Sequence, residues 1–170
     1  MPGDHPEAAG PPGPDGGPGP LAGPGPLAGQ GPSVAAVAVG GALGALARYG
    51  LALALPPVPG QFPLATFLTN VAGGLLIGVL VVALTELTTA HPLARPFLVT
   101  GILGGFTTFS TYTVDLQHLL ARHAVGLALG YLFGTLAAAL LATWGGMAAT
   151  RALGAAVRPS HGGPSEGGAR

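Results

Sequence analysis

Four long apolar stretches, separated by short breaks rich in proline or polar residues, limit most strongly what this chain can fold into. Each is long enough to cross a bilayer as a helix, which takes about 20 residues. Only 7% of the 170 residues are charged, whereas a soluble domain carries about a quarter. We therefore predict an all-α membrane protein whose four transmembrane helices cover residues 33–55, 64–87, 96–120 and 125–149.

The composition changes on both sides of this predicted membrane domain, which we place at residues 33–152. Residues 1–32 and 153–170 are rich in glycine and proline. Such segments bury too little apolar surface to offset the entropy lost on ordering. We predict two disordered tails, and the even number of helices places both on one side of the membrane.

Composition also excludes several classes of function. The formal net charge is zero and lysine is absent, which argues against a nucleic-acid partner. Without cysteine, the chain has no disulfide and no thiol chemistry. Ser110 has no general base at a recognisable spacing, and the five histidines show no metal-ligand pattern. We expect a protein that is not an enzyme.

The segment 101–115 combines six hydroxyl side chains with a Gly-Gly pair inside an otherwise apolar stretch. This pattern predicts a break in the third helix. Membranes tolerate exposed backbone groups only where they face protein or a water-filled cavity. The segment therefore indicates a path for a small polar solute.

Asn70 is a full amide inside the second apolar stretch, on the face that repeats as Thr66, Asn70, Gly74 and Gly78. Burying an amide is unfavourable unless the amide finds partners. It can form an interhelical hydrogen bond, or its NH₂ group can donate to a transported solute. Small residues also recur at every fourth position of the fourth stretch, which predicts a close helix contact through that face.

Other polar and aromatic residues are open to two interpretations. Arg48 can extend toward the lipid headgroups or supply positive potential at an anion entrance. Phe109 and Tyr112 can pack in the core or present the positive edges of their rings to an anion. Asp115 can pair with His118 one turn later or contribute to the polar path.

Three sequence blocks together are similar to one known family. Gly40-Gly-x-x-Gly-Ala-x-x-Arg-Tyr49, Thr66-x-x-x-Asn-x-x-Gly73 and Gly104-Gly-Phe-Thr-Thr-Phe-Ser-Thr-Tyr112 occur in order. They resemble the motifs of the first three helices of the Fluc (CrcB-like) fluoride channels. The third block is the most specific.

The resemblance implies a fluoride-selective channel that exports fluoride passively across the bacterial plasma (inner) membrane. Family members are antiparallel, dual-topology homodimers, so the expected partners are fluoride, the lipid bilayer and a second copy. Backbone carbonyls of Gly104 and Thr107 match a structural Na⁺ site at the dimer interface. Arg48 and Asp115 match structural or electrostatic positions. The residues matched to the fluoride pore are Asn70, Phe109, Tyr112, Ser110, Thr111, Thr66, Tyr131 and Thr135.

Some positions depart from the family pattern. Tyr112 stands where phenylalanine is usual, Asp115 where glutamate is common, and Thr135 in place of serine. Some relatives are heterodimers of paralogues, and that arrangement stays open here. The main alternative function is a proton-coupled exporter of cationic compounds, which needs an intramembrane carboxylate. A non-transporting membrane subunit is a third interpretation.

Overall fold

The computed structural model describes residues 29–157. Most of the two predicted disordered tails, residues 1–28 and 158–170, therefore lies outside the described residues. The fold described here is that of the compact unit that begins at Pro32.

All regular structure within residues 29–157 is helical, which confirms the all-α part of the predicted fold class. Four helical stretches are long and apolar enough to cross a membrane. Short loops join them, so successive stretches run in opposite directions. We name them the first to fourth spans: Gly31–Ala54, Leu64–Leu87, Pro96–Ala121 and Val125–Val157.

The second and fourth spans pack closely because glycines remove side chains from their contact. A Cβ atom at Gly74 would lie 2.6 Å from the carbonyl oxygen of Ala139, and one at Gly146 would lie 2.5 Å from that of Leu75. At Gly78 the added atom would collide with the carbonyl of Thr143. Close backbone approach of this kind gives helices packing energy that lipid cannot replace.

The first and third spans meet through a second set of glycines. Gly40 faces the backbone of Phe97 and Gly101, and a Cβ atom at Gly44 would collide with the carbonyl of Ile102. The Gly-Gly-x-x-Gly block of the first span is thus a packing surface for the third.

The fourth span is longer than predicted. Its helix continues to Val157, so the prediction of a tail from residue 153 is wrong for residues 153–157. Near this end Arg151 forms an ion pair with Glu86, with Nη2 to Oε1 at 2.8 Å. A Cβ atom at Gly154 would lie 2.5 Å from Leu87. The extended part of the helix therefore packs against the end of the second span, and local composition does not reveal these contacts.

The small-residue face predicted on the fourth span is only partly used within one chain. Gly126, Gly130 and Gly134 have no atom within 4 Å of an added Cβ, whereas Gly146 packs tightly. The contact lies instead along a neighbouring face that includes Ala139 and Thr143, because the second span crosses the helix there.

The third span is irregular. A π-helical segment, Pro96–Leu103, is followed by one helical turn, Gly104–Phe106. Thr107 is extended, with φ −70° and ψ 157°, and the helix starts again at Ser110–Ala121. Residues 107–109 therefore separate two helical segments within one span.

Candidate functional site

Asn70 of the second span is paired with the irregular backbone of the third. Its Nδ2 donates to the carbonyl oxygen of Thr108 at 3.0 Å, and its Oδ1 accepts from the Thr108 amide at 2.9 Å. A carboxamide offers one acceptor and two N–H donors, so it can satisfy both backbone groups of one residue. The interhelical alternative for Asn70 is therefore realised, and one N–H of its NH₂ group remains beyond these two bonds.

Two backbone amides of this segment donate to side chains instead of to the carbonyls that would accept from them in a continuous helix. In an α-helix the Thr108 N–H would donate to the carbonyl of Gly104, four residues earlier. Here it donates to Asn70. The Thr111 N–H would likewise reach the carbonyl of Thr107, but it donates to the hydroxyl of Thr108 at 3.1 Å. The carbonyls of Gly104 and Thr107 thus lose their helical donors.

Three hydroxyl groups surround the start of the second helical segment. Thr108 Oγ1 lies 3.1 Å from Thr111 Oγ1 and 3.3 Å from Ser110 Oγ. Thr108 is 8% exposed, whereas Ser110 and Thr111 are exposed in the single chain. The cluster presents neutral hydrogen-bonding groups at the point where the helix is interrupted.

A cavity of about 680 Å³ opens beside the interruption. Phe109 lies at this cavity and is 79% exposed in the single chain. Thr135 is 4% exposed, and its hydroxyl has no hydrogen-bond partner among residues 29–157. The cavity brings together six of the predicted site residues: Asn70, Gly104, Thr107, Phe109, Tyr112 and Thr135.

Tyr112 contributes its ring to this cavity, but its hydroxyl is engaged elsewhere. The hydroxyl donates to the carbonyl oxygen of Leu132 at 2.7 Å. Its phenol therefore ties the third span to the fourth, and its one proton is used in that bond.

Asp115 belongs to a second cluster of predicted residues. Its Oδ2 accepts from Thr66 Oγ1 at 2.6 Å and from the Tyr131 hydroxyl at 3.3 Å. Asp115 is bonded to these two hydroxyls, and within residues 29–157 no ion pair joins it to His118. Asp115, Thr66 and Thr111 also line a cavity of about 590 Å³ beneath the 56–63 loop.

Arg48 is half-buried and lines a smaller cavity of about 230 Å³. Thr66, Thr69 and Thr111 lie on the walls of the same cavity. Arg48 thus shares this cavity with three threonine residues. Thr66 and Thr111 also line the cavity of the Asp115 cluster, so these two threonines lie on the walls of both cavities.

Aromatic rings form a row beside these clusters. The ring centroids of Phe109 and Tyr112 are 5.8 Å apart, those of Tyr112 and Tyr131 are 5.1 Å apart, and Tyr131 meets Phe62 edge-on at 5.4 Å. Tyr131 is fully buried. The row connects the exposed ring of Phe109 with the loop that precedes the second span.

Three residues of the site were missed by sequence reasoning. Thr108 contacts Asn70, Ser110 and Thr111, and its position in the Thr-Thr pair of the third block was the available signal. Thr69 is 2% exposed and lines the cavity of Arg48. Thr69 was missed because it lies one residue away from Asn70 and so outside the four-residue repeat of that face. Phe62 was missed because it lies in the loop before the second span.

Together these features define a multi-pass helical membrane protein with a polar site built mainly from amide and hydroxyl groups. Within residues 29–157, no three His, Cys, Asp or Glu side chains are grouped as metal ligands.

Comparison with known proteins identifies the family: the chain belongs to the CrcB-like proteins (Camphor Resistance, CrcB), whose pattern matches residues 35–147. A fluoride-specific ion channel of Nocardia farcinica is 52% identical over 124 residues, or 72% of this chain and 89% of the relative. One of Streptomyces coelicolor is 51% identical over 65% of this chain and 72% of the relative. A third, of Paracoccus denitrificans, is 42% identical over 69% of this chain and 93% of the relative.

Proposed function

We propose that this protein is a fluoride channel that lets fluoride leave the cytoplasm passively through the bacterial plasma membrane. Membership of the CrcB-like family and the names of its relatives support this function. The observation that carries it is the neutral polar site beside the interrupted third span. No energy source is required, because fluoride moves down its electrochemical gradient.

The chemistry of the site suits a small, strongly hydrated anion. A conducting site must replace the ion's water with donors, yet bind weakly enough for the ion to leave. Asn70 has one remaining N–H, and the Thr135 hydroxyl is buried without a protein partner in the described chain. The edge of the Phe109 ring carries partial positive charge. These groups attract fluoride without the strong trapping that a fixed cation would cause.

The proposed channel is a homodimer of two oppositely inserted copies. Phe109 is 79% exposed in one chain, and Gly104 is exposed beside it, so a second copy can complete the site there. Charge is consistent with dual insertion. Within residues 29–157, Arg95, Arg151 and Glu86 lie toward one membrane face. Arg48, Arg122 and Asp115 lie toward the other. Because Arg158 follows the fourth span in the sequence, the positive-inside rule gives a mild bias toward the face of Arg95 and Arg151, which does not forbid dual insertion.

A structural Na⁺ ion at this interface is a further part of the proposal. Hard cations bind oxygen ligands, and the interrupted helix supplies them: the carbonyls of Gly104 and Thr107 have lost their helical donors to other bonds. Gly104 also leaves open space, since an added Cβ would meet nothing within 4 Å. Such an ion would neutralise carbonyl charge between the two copies.

Fluoride release from liposomes tests the function. The purified chain is reconstituted with internal fluoride, and efflux is followed with a fluoride electrode after the membrane potential is collapsed by an ionophore. We expect rapid fluoride release while chloride is retained. Vesicles that retain fluoride as tightly as protein-free vesicles would contradict the proposal. Movement of an organic cation that depends on a pH gradient would instead support the exporter.

A further inference from the structure

Thr108 occupies the centre of the interruption, between the turn that ends at Phe106 and the helix that starts at Ser110. It is 8% exposed. Both its backbone groups are bonded to Asn70, and its hydroxyl contacts two neighbouring hydroxyls and one amide. No other residue of the candidate site makes as many side-chain and backbone bonds within this segment.

The hydroxyl of Thr108 uses its full bonding capacity. A threonine hydroxyl has one proton to donate and two lone pairs that accept. The proton is directed to Thr111 Oγ1 at 3.1 Å, and the oxygen accepts from the Thr111 amide, also at 3.1 Å. Ser110 Oγ lies 3.3 Å from the same oxygen, at a distance where either hydroxyl can donate, and with the Thr108 proton on Thr111 this bond is one that Thr108 accepts. Thr108 therefore has no donor left for an anion, and its role differs from that of a pore-lining hydroxyl.

Because of these bonds, the carbonyl of Thr107 has no backbone donor from the following helical segment. The Thr111 amide is the group that would bond to this carbonyl if the helix were continuous. Since the Thr108 hydroxyl takes that amide, the carbonyl of Thr107 stays outside the helical ladder. Asn70 does the same for the carbonyl of Gly104 by taking the amide of Thr108.

We propose that Thr108 is a positioning residue that keeps the third span interrupted and so keeps the Thr107 carbonyl free to bind a cation. This inference rests on the proposed Na⁺ site for its function. The hydrogen bond from the Thr111 N–H to the Thr108 hydroxyl can be followed by hydrogen exchange, and that measurement needs neither sodium nor fluoride. A residue that only capped the second helical segment would stabilise the fold without affecting cation binding.

The test compares Thr108→Val, which keeps the shape but removes the hydroxyl, with Thr108→Ser, which restores it. The full-length chain is labelled with ¹⁵N-threonine, and amide exchange at Thr111 is measured in detergent. Thermal stability is then titrated with NaCl against N-methylglucamine chloride at constant ionic strength. In Thr108→Val the Thr111 amide either exchanges faster or bonds to the carbonyl of Thr107, and in both cases we expect the sodium midpoint to rise by about tenfold, corresponding to one lost hydrogen bond.

Thr108→Ser is expected to match the parent in both measurements. The matched control is Thr143→Val, which removes a hydroxyl bonded to the carbonyl of Ala139 in an uninterrupted helix; it should leave both measurements unchanged. If Thr108→Val does not fold, Thr108→Ala replaces it, since a smaller side chain introduces no clash.

The outcomes separate this inference from the proposed function. Unchanged exchange at Thr111 together with a parental sodium midpoint in the hydroxyl-free variant overturns the positioning role. Accelerated exchange with a parental sodium midpoint also overturns it, because Thr108 is then only a helix cap. A parent chain whose stability is independent of sodium overturns the proposed Na⁺ site and, with it, the cation role of Thr108. Fluoride release by that same parent would leave the channel function standing.

Discussion

One face of the second span serves two different purposes along its length. In its first half, Thr66 and Asn70 bond to Asp115 and Thr108 of the third span. In its second half, Gly74 and Gly78 allow close contact with the fourth span. The same four-residue spacing thus gives a polar contact in one half and a glycine-packed contact in the other.

This difference shows how a small membrane protein can hold an irregular backbone segment in place. The glycine-packed half brings two regular helices together without polar groups. The polar half contacts an irregular backbone, whose unpaired groups need partners in a membrane. Asn70 supplies those partners, so the irregular segment is stabilised by a residue on a regular, tightly packed helix.

Asn70→Ala is expected to have the largest effect. It removes both the hydrogen bonds to the Thr108 backbone and the remaining N–H that we propose donates to fluoride. Two bonds to the Thr108 backbone disappear and leave buried groups unsatisfied, at a cost of about 1–3 kcal/mol. We expect fluoride efflux at the rate of protein-free liposomes and a lower thermal midpoint. Efflux at the parental rate would remove Asn70 from the pathway.

Phe109→Ile should separate conduction from stability. Phe109 is 79% exposed in the single chain and contributes little to its packing. We expect efflux to be abolished while the proposed dimer, measured by size-exclusion chromatography with light scattering, stays intact. A variant that conducts normally would show that the ring edge plays no part in the pore.

Gly78→Ala tests the glycine-packed half. The new methyl group would collide with the Thr143 carbonyl and lie 3.0 Å from the Met147 amide. Overpacking typically costs about 1–3 kcal/mol, so we expect a lower thermal midpoint.

Gly130→Ala is the matched control for that substitution, since nothing lies within 4 Å of its added methyl group. Alanine favours a helix over glycine by about 0.5–1 kcal/mol, so its midpoint should be equal or higher. Equal losses in the two variants would mean that the fourth span packs through the Gly130 face, as a second copy in the dimer could require.

The smallest effect is expected at the ion pair between Glu86 and Arg151. Both side chains are exposed, at 41% and 54%, and exposed ion pairs contribute little and are screened by salt. Arg151→Gln should lower the thermal midpoint slightly at low salt and not at high salt, with efflux unchanged. A large loss at both salt concentrations would show that this pair is essential for the helix end.

Much of the fold follows from local sequence. The four spans follow from runs of about 20 mostly apolar residues, because such a segment can satisfy its own backbone groups in a bilayer by forming a helix. The extension of the fourth span to Val157 did not follow, since it depends on contacts with Glu86 and Leu87 that are distant in sequence.

The candidate site was predicted unevenly for the same reason. Asn70 and Phe109 stand out because an amide and a motif aromatic are unusual in their surroundings, and both line one cavity. Thr108 looked like one of several similar hydroxyls. Its bonds to Asn70, 38 residues away in sequence, distinguish it.

The amino-acid sequence alone determined that the chain is a four-span helical protein of the CrcB-like family, because hydropathy and the three motif blocks are local properties. Tertiary structure decided where each polar group is satisfied: Asn70 on the Thr108 backbone, Asp115 on Thr66 and Tyr131, and Tyr112 on the carbonyl of Leu132. The physical reason is that hydrogen bonds between spans depend on which helices are neighbours and at what height, and that information is absent from any single stretch of sequence.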